Sequence, residues 1–83
     1  MSPNKEEFDF VIKLLLRVAK SYGRTSIVLN SGKIHQFIGG YPSDNHRMRS
    51  CCSAMRSNMK QNDREISAPV KGNGASLEIE YFL

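Results

Sequence analysis

The chain has 83 residues, 40% of them hydrophobic and 24% charged, and twelve basic against eight acidic side chains leave a net charge of +4 at pH 7. That length makes one domain, residues 1–83, with one small core and no room for a sizeable pocket. No apolar run approaches the roughly 20 residues of a membrane span, and the basic balance favours acidic partners, nucleic acid first.

Asn4 opens the first predicted helix, which runs to about Tyr22. Asn4 with Glu7 forms a capping-box pattern, and Glu6, Glu7 and Asp9 suit the positive helix start. Phe8, Val11, Ile12, Leu15, Val18, Ala19 and Tyr22 follow the spacing of a buried helical stripe. Gly23 closes the helix as a left-handed cap. Phe10 and Leu14 fall to one side of the stripe. They fit either packing against the chain termini or a homodimer contact.

Ser26–Leu29 is a brief β-branched strand, and Asn30-Ser31-Gly32 is a turn able to cap a helix. A short helix follows from Lys33 to Ile38, expected to bury Ile34, Phe37 and Ile38. Gly39-Gly40-Tyr41-Pro42 ends it.

Ser43 or Asp44 caps the next predicted helix, Asn45 to about Lys60. Met48, Cys51, Cys52, Met55 and Met59 make one apolar stripe. At about 100° per residue, Arg49, Ser53, Arg56 and Lys60 form a second stripe, flanked by Ser50 and Ser57. From Asn45 to Asn62 there are four basic residues (Arg47, Arg49, Arg56, Lys60) and no acid, whereas the charges of the remaining chain cancel. Such a cationic, hydrogen-bonding face is the footprint of an element that meets nucleic acid phosphate; its alternative is a solvated surface.

Two alternating runs end the chain, Ile66-Ala68-Val70 and Leu77-Ile79-Tyr81, with Lys71-Gly72-Asn73-Gly74 between them. Asn-Gly is a strong two-residue hairpin signal. A turn centred on Asn73-Gly74 pairs Val70 with Leu77, Ala68 with Ile79, and Ile66 with Tyr81. Pro69 then belongs on an edge strand, its missing donor outward.

The order helix, short strand, helix, helix, β-hairpin resembles the winged helix-turn-helix, an α+β fold, over about Asn4 to Leu83. The resemblance rests on element order, without a signature motif. It implies double-stranded DNA binding, with the helix at 45–60 in the major groove and the hairpin loop at 71–74 beside it. Carried over by position, the DNA-binding residues are Asn45, Arg47, Arg49, Ser50, Ser53, Arg56, Ser57, Lys60, Lys71 and Asn73. Arg49 and Arg56 have the reach for bidentate contacts to guanine. Ser50, Ser53 and Asn45 suit phosphate or base edges, while Arg47, Lys60, Lys71 and Asn73 suit the backbone. Arg24 and Lys33 are weaker phosphate candidates. The segment 39–44 is longer than the turn of the simplest helix-turn-helix, which leaves the docking pose open.

The role this reading suggests is a small transcriptional regulator or an accessory factor of a phage or other mobile element. The alternative is a protein-interaction module or inhibitor on the same scaffold, since fold does not fix function. No cofactor is expected. His35, His46, Cys51 and Cys52 match no zinc spacing, and adjacent helical cysteines diverge. Catalysis has no placed nucleophile, so no enzyme is expected. Free thiols and an N-terminus without a signal pattern lead to the expectation of a cytoplasmic protein away from membranes.

Overall fold

The computed structural model describes residues 4–39, 41, 47–70 and 72–83. Asn4 caps the first helix, α1 (Lys5–Ser21), as its sequence predicts. The Glu7 N–H donates to Asn4 Oδ1 at 2.9 Å, and the Asn4 N–H donates to Glu7 Oε1 at 3.1 Å. At the other end Gly23 takes φ +83°. Its N–H bonds the Lys20 carbonyl and the Arg24 N–H bonds that of Ala19, which answers two of the carbonyls a helix end leaves open.

Strand β1 (Ser26–Asn30) leads directly into α2 (Ser31–Ile38), whose cap is the Asn30 side chain accepting from the Lys33 N–H. Helix α3 (Met48–Ser57) follows, then β2 (Arg64–Ser67) and β3 (Glu78–Phe82). The described residues thus form an α+β structure of three helices and one three-stranded antiparallel sheet, ordered β1-β3-β2. Phe8 and Ile12 of α1, Ile34 of α2, Met48, Cys51, Cys52, Ala54 and Met55 of α3, and Leu77, Ile79 and Tyr81 near the central strand close one core. The Tyr81 hydroxyl donates to the Met55 carbonyl at 2.7 Å, which joins sheet to helix inside that core.

Four expectations need correction. Val18 and Tyr22 do not join the core: they are 42% and 83% exposed. Helix α1 rests mainly on α3, and that contact covers the narrower arc of Phe8, Ile12 and Ala19.

In α2 the buried positions are Ser31, Gly32, Ile34 and His35, so Phe37 falls outside and is 77% exposed. His35 takes the interior place instead. Its Nδ1–H donates to the Gly39 carbonyl, its Nε2 accepts the Arg47 N–H at 2.8 Å, and its ring meets Phe8 edge-on. Both ring nitrogens are satisfied, so a polar ring can sit in the core at low cost.

Helix α3 is shorter than predicted, starting after Arg47 and stopping at Ser57 rather than near Lys60. Asn58 turns back at that end, its amide donating to the Ala54 carbonyl and to Asp9 of α1. The predicted cap at Ser43 or Asp44 lies outside the described residues.

The largest correction concerns the hairpin. Strand β2 pairs Arg64 with Glu80 and Glu65 with Ile79, and an irregularity follows at Ser67. At Arg64 and Glu65 this register differs by three residues from the one centred on Asn73-Gly74, and at Ser67 by two. An odd slip turns every side chain to the other face. Ile66 therefore points to solvent at 47% exposure, and Glu65 lies on the side of α3. Opposite charges now face each other, with Arg64 Nε 3.1 Å from Glu80 Oε1. Beyond Ser67 the described residues 68–70 and 72–77 belong to no strand. The Gly72 N–H closes one turn on the Pro69 carbonyl, with Gly72 at φ +86°, and the Leu77 N–H closes another on Gly74. The loop's return is held by α2: the Ser31 hydroxyl donates to the Gly74 carbonyl, and the Gly32 N–H donates to that of Ala75. A Cβ at Gly32 would lie 2.9 Å from the Ala75 oxygen, so glycine permits this approach.

Candidate functional site

Helix α3 turns Cys51, Cys52, Ala54 and Met55 inward, each with no exposed surface. At about 100° per residue this leaves Arg49, Ser53 and Arg56 along the outer side. Ser50 and Ser53 are half-buried, and Arg47, Arg49 and Ser57 are exposed. The Ser57 hydroxyl donates to the Ser53 carbonyl. Arg49, Ser53, Arg56 and Ser57 meet Asn73 of the β2–β3 loop around an open cleft of about 500 Å³. Residues far apart in sequence are thus brought to one polar concavity.

The guanidinium of Arg56 is already engaged within the fold. Its Nε lies 3.0 Å from Glu65 Oε2, and Nη2 lies 3.3 Å from Glu65 Oε1. Nη1 donates to Asn73 Oδ1 at 3.1 Å, and Nη2 also donates to the Gly72 carbonyl. Hydrogen bonding to the Glu65 carboxylate holds the Arg56 pKa above its ordinary value. Arg56 therefore ties α3 both to β2 and to the loop.

Lys60 is likewise partnered. Its ammonium lies 3.1 Å from Asp63, whose side chain is fully buried, and its backbone N–H donates to the same carboxylate. Asp63 also accepts the Phe82 N–H at 2.8 Å. Burial alone would raise the Asp63 pKa, but the Phe82 and Lys60 N–H groups and the Lys60 ammonium outweigh it and hold the carboxyl below its usual range. Of the four cations predicted on this face, Arg47 and Arg49 have no ion pair among the described residues. Asn45 and Lys71, expected to complete the site, lie outside the described residues, as does His46.

Three side chains that organise this surface were not singled out for it by the sequence reading: Glu65, Asp63 and His35. Glu65 has no local signal, because its role depends on the strand register. His35 reaches Arg47 across twelve residues, a distance that periodicity does not report.

The cysteines carry no visible chemistry. Burial, helped by neighbouring Cys52, pushes the Cys51 thiol up to about 12. Their sulfurs donate to different carbonyls, Ser31 and Gly74. Among the described residues no three His, Cys, Asp or Glu side chains gather as a metal site. No helix among them is long and apolar enough to cross a membrane. Comparison with protein-family models, with curated proteins and with solved structures finds no match.

Proposed function

We propose that the protein binds double-stranded DNA through the outer side of α3, as a small regulator or accessory factor with a winged-helix arrangement. The observation that carries the reading is the cleft in which Arg49 and Ser53 of α3 stand beside Asn73 of the following loop. In this reading Arg49 makes the principal contact, to guanine or to phosphate, and Ser53 and Ser50 donate to nearby oxygens. Arg47 and Asn73 meet the backbone on either side. Arg56 acts as a positioning residue: its bonds to Glu65, Asn73 and Gly72 hold the loop against α3. The element order and the antiparallel sheet support the winged-helix comparison. The connection between β2 and β3 then takes the place of the wing.

Because Arg56 and Lys60 already have carboxylate partners, fewer cations are free to neutralise phosphate than the sequence suggested. From composition, contacts to about 4–6 phosphates correspond to a log–log salt slope of roughly −3.5 to −5.5; two to four contacts reduce it to about −2 to −3.5. The test is fluorescence anisotropy with a labelled random duplex at low salt. Non-specific binding with Kd of about 1–100 µM is expected at physiological salt, and tighter binding at low salt. Arg49→Ala should weaken it several-fold and reduce the salt slope by about 1 while leaving the melting temperature in place, as expected for one lost phosphate contact. An unchanged Kd in Arg49→Ala, or no binding across that range, refutes the proposal.

A further inference from the structure

We infer that the solvent side of α1 is a self-complementary surface that pairs with a second copy of this chain in antiparallel fashion. Phe10, Leu14 and Val18 are 67%, 45% and 42% exposed along one side of the helix. Three large apolar side chains in succession, turned away from their own core, are more than the scattered exposure of a monomer surface. Phe37 of α2 is a separate exposed aromatic, at 77%. It shares a cleft with Leu15 of α1 and Val28 of β1.

Charge selects the occupant. Glu6 and Arg17 line one groove with Phe10 and Leu14, and neither has an ion pair among the described residues. Eleven residues separate them, which is three helical turns plus about 20°, so they lie on the same flank of α1. In an antiparallel pair each flank meets the same flank of its partner. The midpoint between Glu6 and Arg17 nearly coincides with that between Phe10 and Leu14, at the level of Val11 and Ile12. A two-fold axis at that level brings Phe10 of each copy against Leu14 of the other. It also places Glu6 opposite Arg17 twice, as an isologous contact requires. Lys13, near the axis, is already neutralised by Asp9 at 2.9 Å, so like charges do not oppose the pairing. Antiparallel helices also set their dipoles favourably. This pairing does not require DNA.

Sedimentation of the full chain without nucleic acid, from about 1 to 500 µM, tests it within the affinity range of a modest interface. The mass is expected to rise from 9.4 kDa toward twice that value. Leu14→Glu should weaken dimerisation at least tenfold, with circular dichroism reporting that the fold is kept. Glu6→Arg should weaken it also, and Glu6→Arg with Arg17→Glu should restore it. A wild-type chain that stays monomeric throughout overturns the inference. So does a dimer that survives Leu14→Glu, or a charge exchange without restoration. Both charge positions are exposed, so they decide the matter even if Leu14→Glu fails to fold.

Discussion

Replacing Arg56 by alanine separates a residue that touches a ligand from one that shapes the surface. The substitution removes two hydrogen bonds to Glu65, one to Asn73 and one to the Gly72 carbonyl. Hydrogen bonds to charged groups contribute about 1.5–3 kcal/mol when well shielded. Here both partners' side chains are 32% exposed, so screening cuts the ion pair toward the 0.2–1 kcal/mol measured for surface pairs. The loop bonds add a similar amount, and a net loss of about 1–2 kcal/mol follows. For a chain of this size that lowers the melting temperature by about 5–15 °C. Thermal denaturation followed by circular dichroism at pH 7 measures the loss. A double-mutant cycle with Glu65→Ala isolates the pair, with a coupling of about 0.5–1 kcal/mol expected. An Arg56→Ala protein that melts with the wild type yet binds duplex DNA as poorly as Arg49→Ala would refute the tether and return Arg56 to direct contact.

The Asp63 carboxyl is held below its ordinary pKa in the folded chain, so it contributes stability above about pH 4, the unfolded value. That contribution is lost as pH falls through the lower folded value. Asp63→Asn should flatten this acid limb of a urea-unfolding series, and an unchanged limb would count against the buried acceptor role. His35→Ala opens a cavity and removes the ring's hydrogen bonds to the Arg47 N–H and the Gly39 carbonyl. A loss of about 2–4 kcal/mol in urea unfolding is expected, and a value below 1 kcal/mol would contradict the clamp. Cys51 is fully buried with a thiol pushed up to about 12. A thiol reagent at pH 8 should therefore modify it only as the chain opens, and immediate reaction of the native protein would show that the interior is accessible.

Local rules served well wherever the deciding contacts were close in sequence. The Asn4–Glu7 capping box, the Gly23 stop and the Asn30 cap are each closed within a few residues. Met48, Cys51, Cys52 and Met55 of the predicted stripe turn inward, and Met59, beyond the end of α3, is half-buried against the core. The hairpin went otherwise, because Asn73-Gly74 competes with partners that the local sequence does not name. Glu65 meets Arg56, Arg64 meets Glu80, and Gly74 and Ala75 meet the start of α2. These outweigh the preference of one dipeptide for a tight turn, and the slip of three residues sends Ile66 outward.

The basic face shows the same division. Composition and helical period determined that Arg49, Ser53 and Arg56 share a side of α3, since spacing along a helix is a local property. Only the tertiary structure decided how their charges are used. It paired Arg56 with Glu65 and Lys60 with Asp63, and it brought Asn73 beside Arg49 across the cleft. A sequence states how many charges a helix carries. Which of them remain free for another molecule depends on carboxylates delivered by strand register and loop path, and those follow from packing of the whole chain.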